Sequence, residues 1–249
     1  MLQSVYLAAL GTGFAFAMTS LGAAAVFFFT REPTTRLHNA LIGFAAGVMT
    51  AASVWSLLLP AVAQAETEGF RPAWLPAAAG LLLGVCFLAL LDDLLRRLRP
   101  GESGSQNALL MTAITLHNIP EGMAVGLAFA LSAGGEALAA AWALALGIGV
   151  QNFPEGAAVS LPLREEGRSR GAAFLGGVLS GAVEPLFGVL VVLAAAGVKA
   201  LMPWLLSFAA GAMLYVVVEE LVPQAHSRAG TLGFIAGFLV MMVLDIALG

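Results

Sequence analysis

His117 and Glu121 stand four residues apart in His117-Asn118-Ile119-Pro120-Glu121-Gly122, and Gln151 and Glu155 repeat the interval in Gln151-Asn152-Phe153-Pro154-Glu155-Gly156. On a helix this spacing sets both members of a pair on one face. Asn118 and Asn152 lie about 100° further round and can serve an adjacent position. Imidazole, carboxylate and amide oxygen make a borderline-hard donor set, suited to Zn²⁺, Cd²⁺, Fe²⁺, Mn²⁺ or Co²⁺. No thiolate that would favour Cu(I) belongs to it. The single cysteine, Cys86, lies inside an apolar run, which excludes an internal disulfide and any cysteine-cluster metal site.

These acids sit in long apolar surroundings, as do Glu184, Glu219, Glu220 and, nearer an end, Asp245. An ionised carboxylate in hydrocarbon costs several kcal/mol or more unless it is compensated. No Lys or Arg lies deep in the same stretches, so the compensation is either a proton or a bound cation. Where several carboxylates converge, a divalent cation is the economical answer. Glu184, just before Pro185, has a depth comparable with Glu121 and Glu155 and is the third expected carboxylate ligand. Pro120 and Pro154 each remove a helix hydrogen bond and are expected to disturb the turn before them, freeing the carbonyls of Leu116 and Val150. Broken backbone at membrane depth is tolerated where it lines a cavity or ion site. Two proline kinks with buried, protonated glutamates would not require His, Asn, Gln and Glu at matched positions.

The elements that must position these groups follow from composition. The chain has 249 residues, 60% hydrophobic and 10% charged, far from the half apolar and quarter charged of a soluble domain. It is therefore expected to be an all-α integral membrane protein surrounded by a lipid bilayer. A net charge of −4 and the lack of any basic run leave no basis for nucleic-acid binding. Eight stretches reach the roughly 20 residues needed to span the hydrocarbon core, at about 4–29, 38–63, 73–95, 107–132, 135–162, 171–197, 201–225 and 229–248. The first lacks a basic leader region and is read as a retained helix. Strand-like alternation is absent. The weakest breaks are the short turns at Ser132 to Glu136 and Gly197 to Leu201.

Eleven basic residues test this arrangement. Arg31, Arg36, Arg96, Arg97, Arg99, Arg164, Arg168, Arg170 and Arg228 fall on one side of eight spans, and Arg71 and Lys199 on the other. That bias places both termini on the extracytoplasmic side. His38, at a membrane boundary, is given no role.

Internal repetition is of two kinds. The paired motifs of spans four and five are one. Phe44-Ala45-Ala46-Gly47-Val48-Met49 in span two and Phe208-Ala209-Ala210-Gly211-Ala212-Met213 in span seven are the other, followed by Pro60 and Pro223. The repeated spans run in opposite directions, the pattern of an inverted 3+2+3 repeat whose halves meet at a midplane site. Met49 shares a face with Ser56, as Met213 does with Glu220. Met49 either lines the route and offers a thioether or packs. Glu219, Glu220 and His226 lie toward the cytoplasmic end of span seven, either as acceptors on an exit path or as interfacial residues.

The paired motifs, with Gly43-Phe44-Ala45-Ala46-Gly47-Val48-Met49 and Ser180-Gly181-Ala182-Val183-Glu184-Pro185, resemble the ZIP (Zrt/Irt-like) divalent metal transporters, in particular the bacterial GufA-type branch. The resemblance covers all eight spans, so residues 1–249 form a single ZIP-type transmembrane domain. It implies a multi-pass bacterial inner-membrane transporter whose cargo is a divalent metal, zinc before cadmium, iron, manganese or cobalt, with no prosthetic group. It further implies a binuclear site. His117, Glu121, Gln151 and Glu155 would hold one metal with Met49 near it, and Asn118, Glu121, Asn152, Glu155 and Glu184 the other. Family transporters are thought to move spans one, four, five and six against two, three, seven and eight, and dimers are common among them. This chain departs from the pattern in two places. Asn152 stands where some relatives carry Asp, which lowers the charge of the second position. The loop from Arg99 to Ser105 is short and lacks histidine, so regulation by a His-rich loop is not expected.

Three rival functions make different demands on the sequence. A metal-selective channel would use the same fold, and saturation and counterflow separate it from a carrier. An intramembrane metalloprotease would want His-Glu-x-x-His with an open metal position, which this chain lacks. A proton or light-driven pump needs a cationic partner or cofactor lysine within a span, and Lys199 lies at a membrane edge.

Overall fold

The computed structural model describes residues 2–29, 34–98, 106–132, 136–195 and 199–248. Arg31, Arg99, the loop through Ser105 and the centres of the turns near Ser132 and Gly197 lie outside the described residues. Among the described residues the chain is helical with short connections and no strand. The helices are α1 (Leu2–Phe27), α2 (Thr35–Thr67), α3 (Trp74–Leu98), α4 (Gln106–Leu131), α5 (Glu136–Glu165), α6 (Arg170–Ala195), α7 (Met202–Gln224) and α8 (Arg228–Leu248). Their ends fall within a few residues of those read from hydropathy. By length and composition, and among the described residues, seven of them suffice to cross a membrane. The exception, α4, is a 26-residue helix some of whose side chains lie outside the described set.

Local chemistry sets several of the ends. Thr34 caps α2 by accepting from the Leu37 amide at 3.4 Å, and Ser169 caps α6 by accepting from the Ala172 amide at 3.2 Å. Between α5 and α6, Gly167 takes φ +92°, which suits only glycine, and Arg164 donates to the Arg168 carbonyl at 2.6 Å.

Interruptions differ from those expected. α4 and α5 run without a break through Pro120 and Pro154. α6 is instead interrupted at Ala182, between helical segments Arg170–Gly181 and Val183–Ala195, one turn before Pro185. α2 and α7 each contain a π-helical stretch, Ser53–Leu58 and Val217–Leu221. Each stretch leads directly into a proline, Pro60 or Pro223, whose ring would clash with a carbonyl four residues back in a regular helix. Widening the turn relieves the clash. The two copies of the Phe-Ala-Ala-Gly sequence thus share a backbone irregularity as well as residues.

Packing divides the helices into two groups. α1, α4, α5 and α6 lie on one another, chiefly as α1 on α5 and α4 on α6. α2, α3, α7 and α8 form the second, chiefly as α2 on α8 and α3 on α7. Glycines explain the pairs. A Cβ on Gly43 or Gly47 would strike the backbone of Gly230 or Phe234 on α8, and one on Gly84 or Gly211 the backbone of Phe208 or Leu81 across the α3–α7 contact. In the other group Gly22 and Gly156 seat α1 on α5 against Phe153 and Thr19, and Gly122 and Gly126 seat α4 on α6 against Glu184 and Gly188. Such small-residue seams are how membrane helices approach closely.

The groups meet where α5 rests on α2 and α8, and α4 on α7. There Gly147 faces the Met241 sulfur and Val48, flexible side chains rather than backbone. α2 and α7 have 56% of their spanning windows buried, against 28% for α3 and 17% for α8, so α3 and α8 are peripheral.

A substitution series checks the seams. Gly84→Leu is expected to cost about 1–3 kcal/mol by overpacking, read as a lower unfolding temperature in detergent. Gly13, which has no atom within 4 Å of a would-be Cβ, should accept Leu without loss.

Candidate metal-translocation site

Four helices of the first group converge on one buried polar cluster. α4 brings Asn118 and Glu121, α5 brings Gln151, Asn152 and Glu155, α6 brings Ser180 and Glu184, and α1 brings Thr19. Asn118, Glu121, Gln151, Asn152 and Glu184 are fully buried and Glu155 nearly so. Of the two i, i+4 pairs, Gln151 and Glu155 on α5 and Glu121 on α4 are therefore turned inward. Gly122 lets the Glu184 backbone lie against α4, and Gly181 leaves room for the Glu184 carboxylate, whose Oε1 would sit 3.1 Å from a Cβ there. Glu184 occupies the first turn of the second segment of α6, where an acid meets the positive end of the helix.

Hydrogen bonds fix part of the cluster. Gln151 Nε2 donates to Glu121 Oε1 at 2.5 Å, tying α5 to α4. Asn118 Nδ2 donates to the Ser180 carbonyl at 2.9 Å, tying α4 to α6. Thr19 Oγ1 donates to Glu184 Oε1 at 2.8 Å, tying α1 to α6. The opposite atoms of the same groups have no hydrogen-bond partner: Asn118 Oδ1, Glu121 Oε2, Gln151 Oε1 and Glu184 Oε2. Asn152 lies beside both Glu121 and Glu184, yet its side chain makes no hydrogen bond of acceptable geometry. Glu121 feels the charges of Glu155 and Glu184, and Glu184 that of Glu155.

Buried polar atoms without partners are rare in native proteins and costly. Here nearly all of those at the cluster are oxygens, and Asn118, Glu121, Gln151 and Glu184 each spend their other polar atom on holding their position. The arrangement can accept a hard or borderline cation. Among the described residues no three His, Cys, Asp or Glu side chains by themselves close into a metal-holding group. The amide oxygens of Asn118, Gln151 and Asn152 lie among the same carboxylates as further donors. The His117 side chain lies outside the described residues.

The remaining candidates are spread out. Met49 is fully buried on α2, in the core shared with Ala124, Val125 and Leu144 of the other group. Glu219 is exposed and Glu220 half-buried, both in the π stretch of α7, and His226 is exposed beyond it. Asp245 accepts from Ser56 at 2.6 Å across the α2–α8 seam. Thr19 is the cluster residue that sequence reasoning missed. A threonine among small residues carries no signal, and its partner is 165 residues away.

Comparison with known proteins identifies the family. Residues 102–245 match the family described as the ZIP zinc transporter. The chain is 36% identical to zinc transporter ZIP11 of Homo sapiens, over 99% of this chain and 98% of that one. It is 39% identical to zinc transporter GufA of Myxococcus xanthus, over 93% and 94% of the two chains. It is 40% identical to zinc transporter ZIPB of Bordetella bronchiseptica, over 97% and 81%. These relatives are named as transporters and not as enzymes. By these matches the chain belongs to the ZIP zinc transporter family, whose members are multi-pass membrane proteins.

Proposed function

We propose that this protein carries Zn²⁺ into the cytoplasm across a bacterial inner membrane, through a binuclear site built on α4, α5 and α6. The observation that carries the proposal is the set of buried, unpartnered oxygens on Asn118, Glu121, Gln151 and Glu184. His117, Glu121, Gln151 and Glu155 hold the first ion, with Met49 near it from α2. Asn118, Glu121, Asn152, Glu155 and Glu184 hold the second, at lower charge than an aspartate at 152 would give. Cd²⁺, Fe²⁺, Mn²⁺ and Co²⁺ suit the same donors. Hydrated metal enters from the outer face, exchanges water for these ligands, and leaves toward Glu219 and Glu220.

In this reading all eight helices span the bilayer as an inverted 3+2+3 repeat, with both termini outside. The paired seams support it: α2 on α8 is to one half what α7 on α3 is to the other, and α1 on α5 matches α6 on α4. Alternating access is a sliding of the α1, α4, α5, α6 group past the other, elevator fashion. Backbone-tight glycine seams lie within each group, and the Gly147–Met241 contact between groups involves a deformable thioether, so sliding breaks little packing. A homodimer is compatible with the peripheral placement of α3 and α8.

Proteoliposomes containing a metal-sensitive dye test the proposal, with wild type and His117→Ala compared for Zn²⁺, Cd²⁺, Mn²⁺, Fe²⁺ and Mg²⁺. Saturable Zn²⁺ entry with counterflow, lost in the variant, is expected. Folded protein that moves none of these ions would overturn it, and flux without saturation would identify a channel.

A further inference from the structure

Thr19 stands on α1, a helix that contributes no metal ligand to the proposed site, yet its hydroxyl meets the carboxylate of Glu184. The hydroxyl has one proton and two candidate acceptors, the Ala15 carbonyl at 3.3 Å and Glu184 Oε1 at 2.8 Å. The shorter contact, to an acid oxygen, takes the proton. Thr19 has little freedom to turn away. It is fully buried, its backbone carbonyl lies against Gly156 of α5, and a Cβ on Gly181 of α6 would come within 2.9 Å of its own Cβ. A β-branched side chain wedged at the crossing of three helices keeps its rotamer. Glu184 is therefore clamped by one oxygen, and its other oxygen, Oε2, is buried with no hydrogen-bond partner.

We propose that Thr19 is a positioning residue for the cargo ion, holding Glu184 Oε1 so that Glu184 offers the metal the single oxygen Oε2. This rests on the reading of Glu184 as a ligand. A clamped, one-oxygen ligand does not have to reorganise when an ion arrives. It also cannot wrap both oxygens round the ion and retain it when the site must empty. Loss of a supporting hydrogen bond at a metal ligand costs about 10–100-fold in affinity or activity.

The test uses purified full-length protein in detergent, with Zn²⁺ and Cd²⁺ affinity measured by competition with a chelating dye, alongside uptake in proteoliposomes. Thr19→Val keeps the shape and removes the hydroxyl, Thr19→Ala removes both, and Thr19→Ser restores the hydroxyl alone. Thr19→Val and Thr19→Ala should bind about tenfold more weakly or worse and lose most of the metal-induced rise in unfolding temperature. Thr19→Ser should return both toward wild type. With Glu184→Gln already in place, Thr19→Val should weaken binding no further. Wild-type affinity in Thr19→Val, a Thr19→Ser variant as weak as Thr19→Val, or additive losses with Glu184→Gln would each overturn the inference. If Glu184→Gln itself binds and transports as wild type does, it is the ligand reading that fails, which the same measurements distinguish.

Discussion

Zinc uptake is expected to fall to the level of empty liposomes when Glu121 and Glu155 are both replaced by Gln. Glutamine has nearly the shape of glutamate, so the seams around Gly122 and Gly156 are undisturbed. The change removes two negative charges from a volume that contains no described arginine or lysine. In the proposed site both residues bridge the two metal positions, so neither position survives their neutralisation. The loss should be at least on the order of a hundredfold, beyond the range for losing a merely supporting group. Stability should move the other way. Without metal, Glu121 is buried beside two other carboxyls, Glu155 and Glu184, and relieving that proximity should leave the metal-free unfolding temperature equal or higher. Uptake into proteoliposomes and thermal unfolding of the same preparation check both halves. Normal uptake by the double variant would refute the site assignment.

The second large effect concerns movement. A disulfide between Gly147→Cys and Met241→Cys, made after replacing the native Cys86, should arrest transport completely while oxidised and release it on reduction. The positions are apt because a Cβ on Gly147 falls directly against the Met241 sulfur. They belong to different helix groups, α5 in one and α8 in the other. A covalent link there forbids the groups to slide, whereas a fixed pore would conduct regardless. A bridge within one group gives the control: Ser56→Cys with Asp245→Cys replaces a 2.6 Å hydrogen bond across the α2–α8 seam. Oxidised and reduced forms of that variant should transport at the same rate. Equal flux in both redox forms of the Gly147/Met241 pair would dismiss the sliding mechanism.

Much of this was legible along the chain because a membrane imposes one-dimensional rules. Hydrocarbon thickness dictates helix length, and the cost of bare backbone polar groups excludes irregular segments. Helix ends were therefore readable to within a few residues. The face of α5 is legible too, since four residues is a helical turn and Gln151 and Glu155 both lie buried in the cluster that Glu121 of α4 joins. Backbone irregularity was read less well. Pro120 and Pro154 predict broken turns, yet the helices run through them, and the break in α6 falls at Ala182. Pro60 and Pro223 stand in the sequence only as repeat markers, although each follows a π stretch. A proline states which hydrogen bond is missing but not how neighbouring helices let the chain absorb the loss.

The amino-acid sequence by itself determined that the chain is a bundle of apolar helices, which donors it offers to a cation, and that two stretches repeat. These depend on composition and on spacings within a turn or two. The tertiary structure alone decided which helices pack together and what holds each candidate ligand. Glycines mark that a seam exists, but only packing reveals that Gly47 meets α8 and Gly122 meets α6. Likewise the Thr19 to Glu184 hydrogen bond joins residues 165 positions apart, and no local pattern encodes a contact made by the crossing of two distant helices.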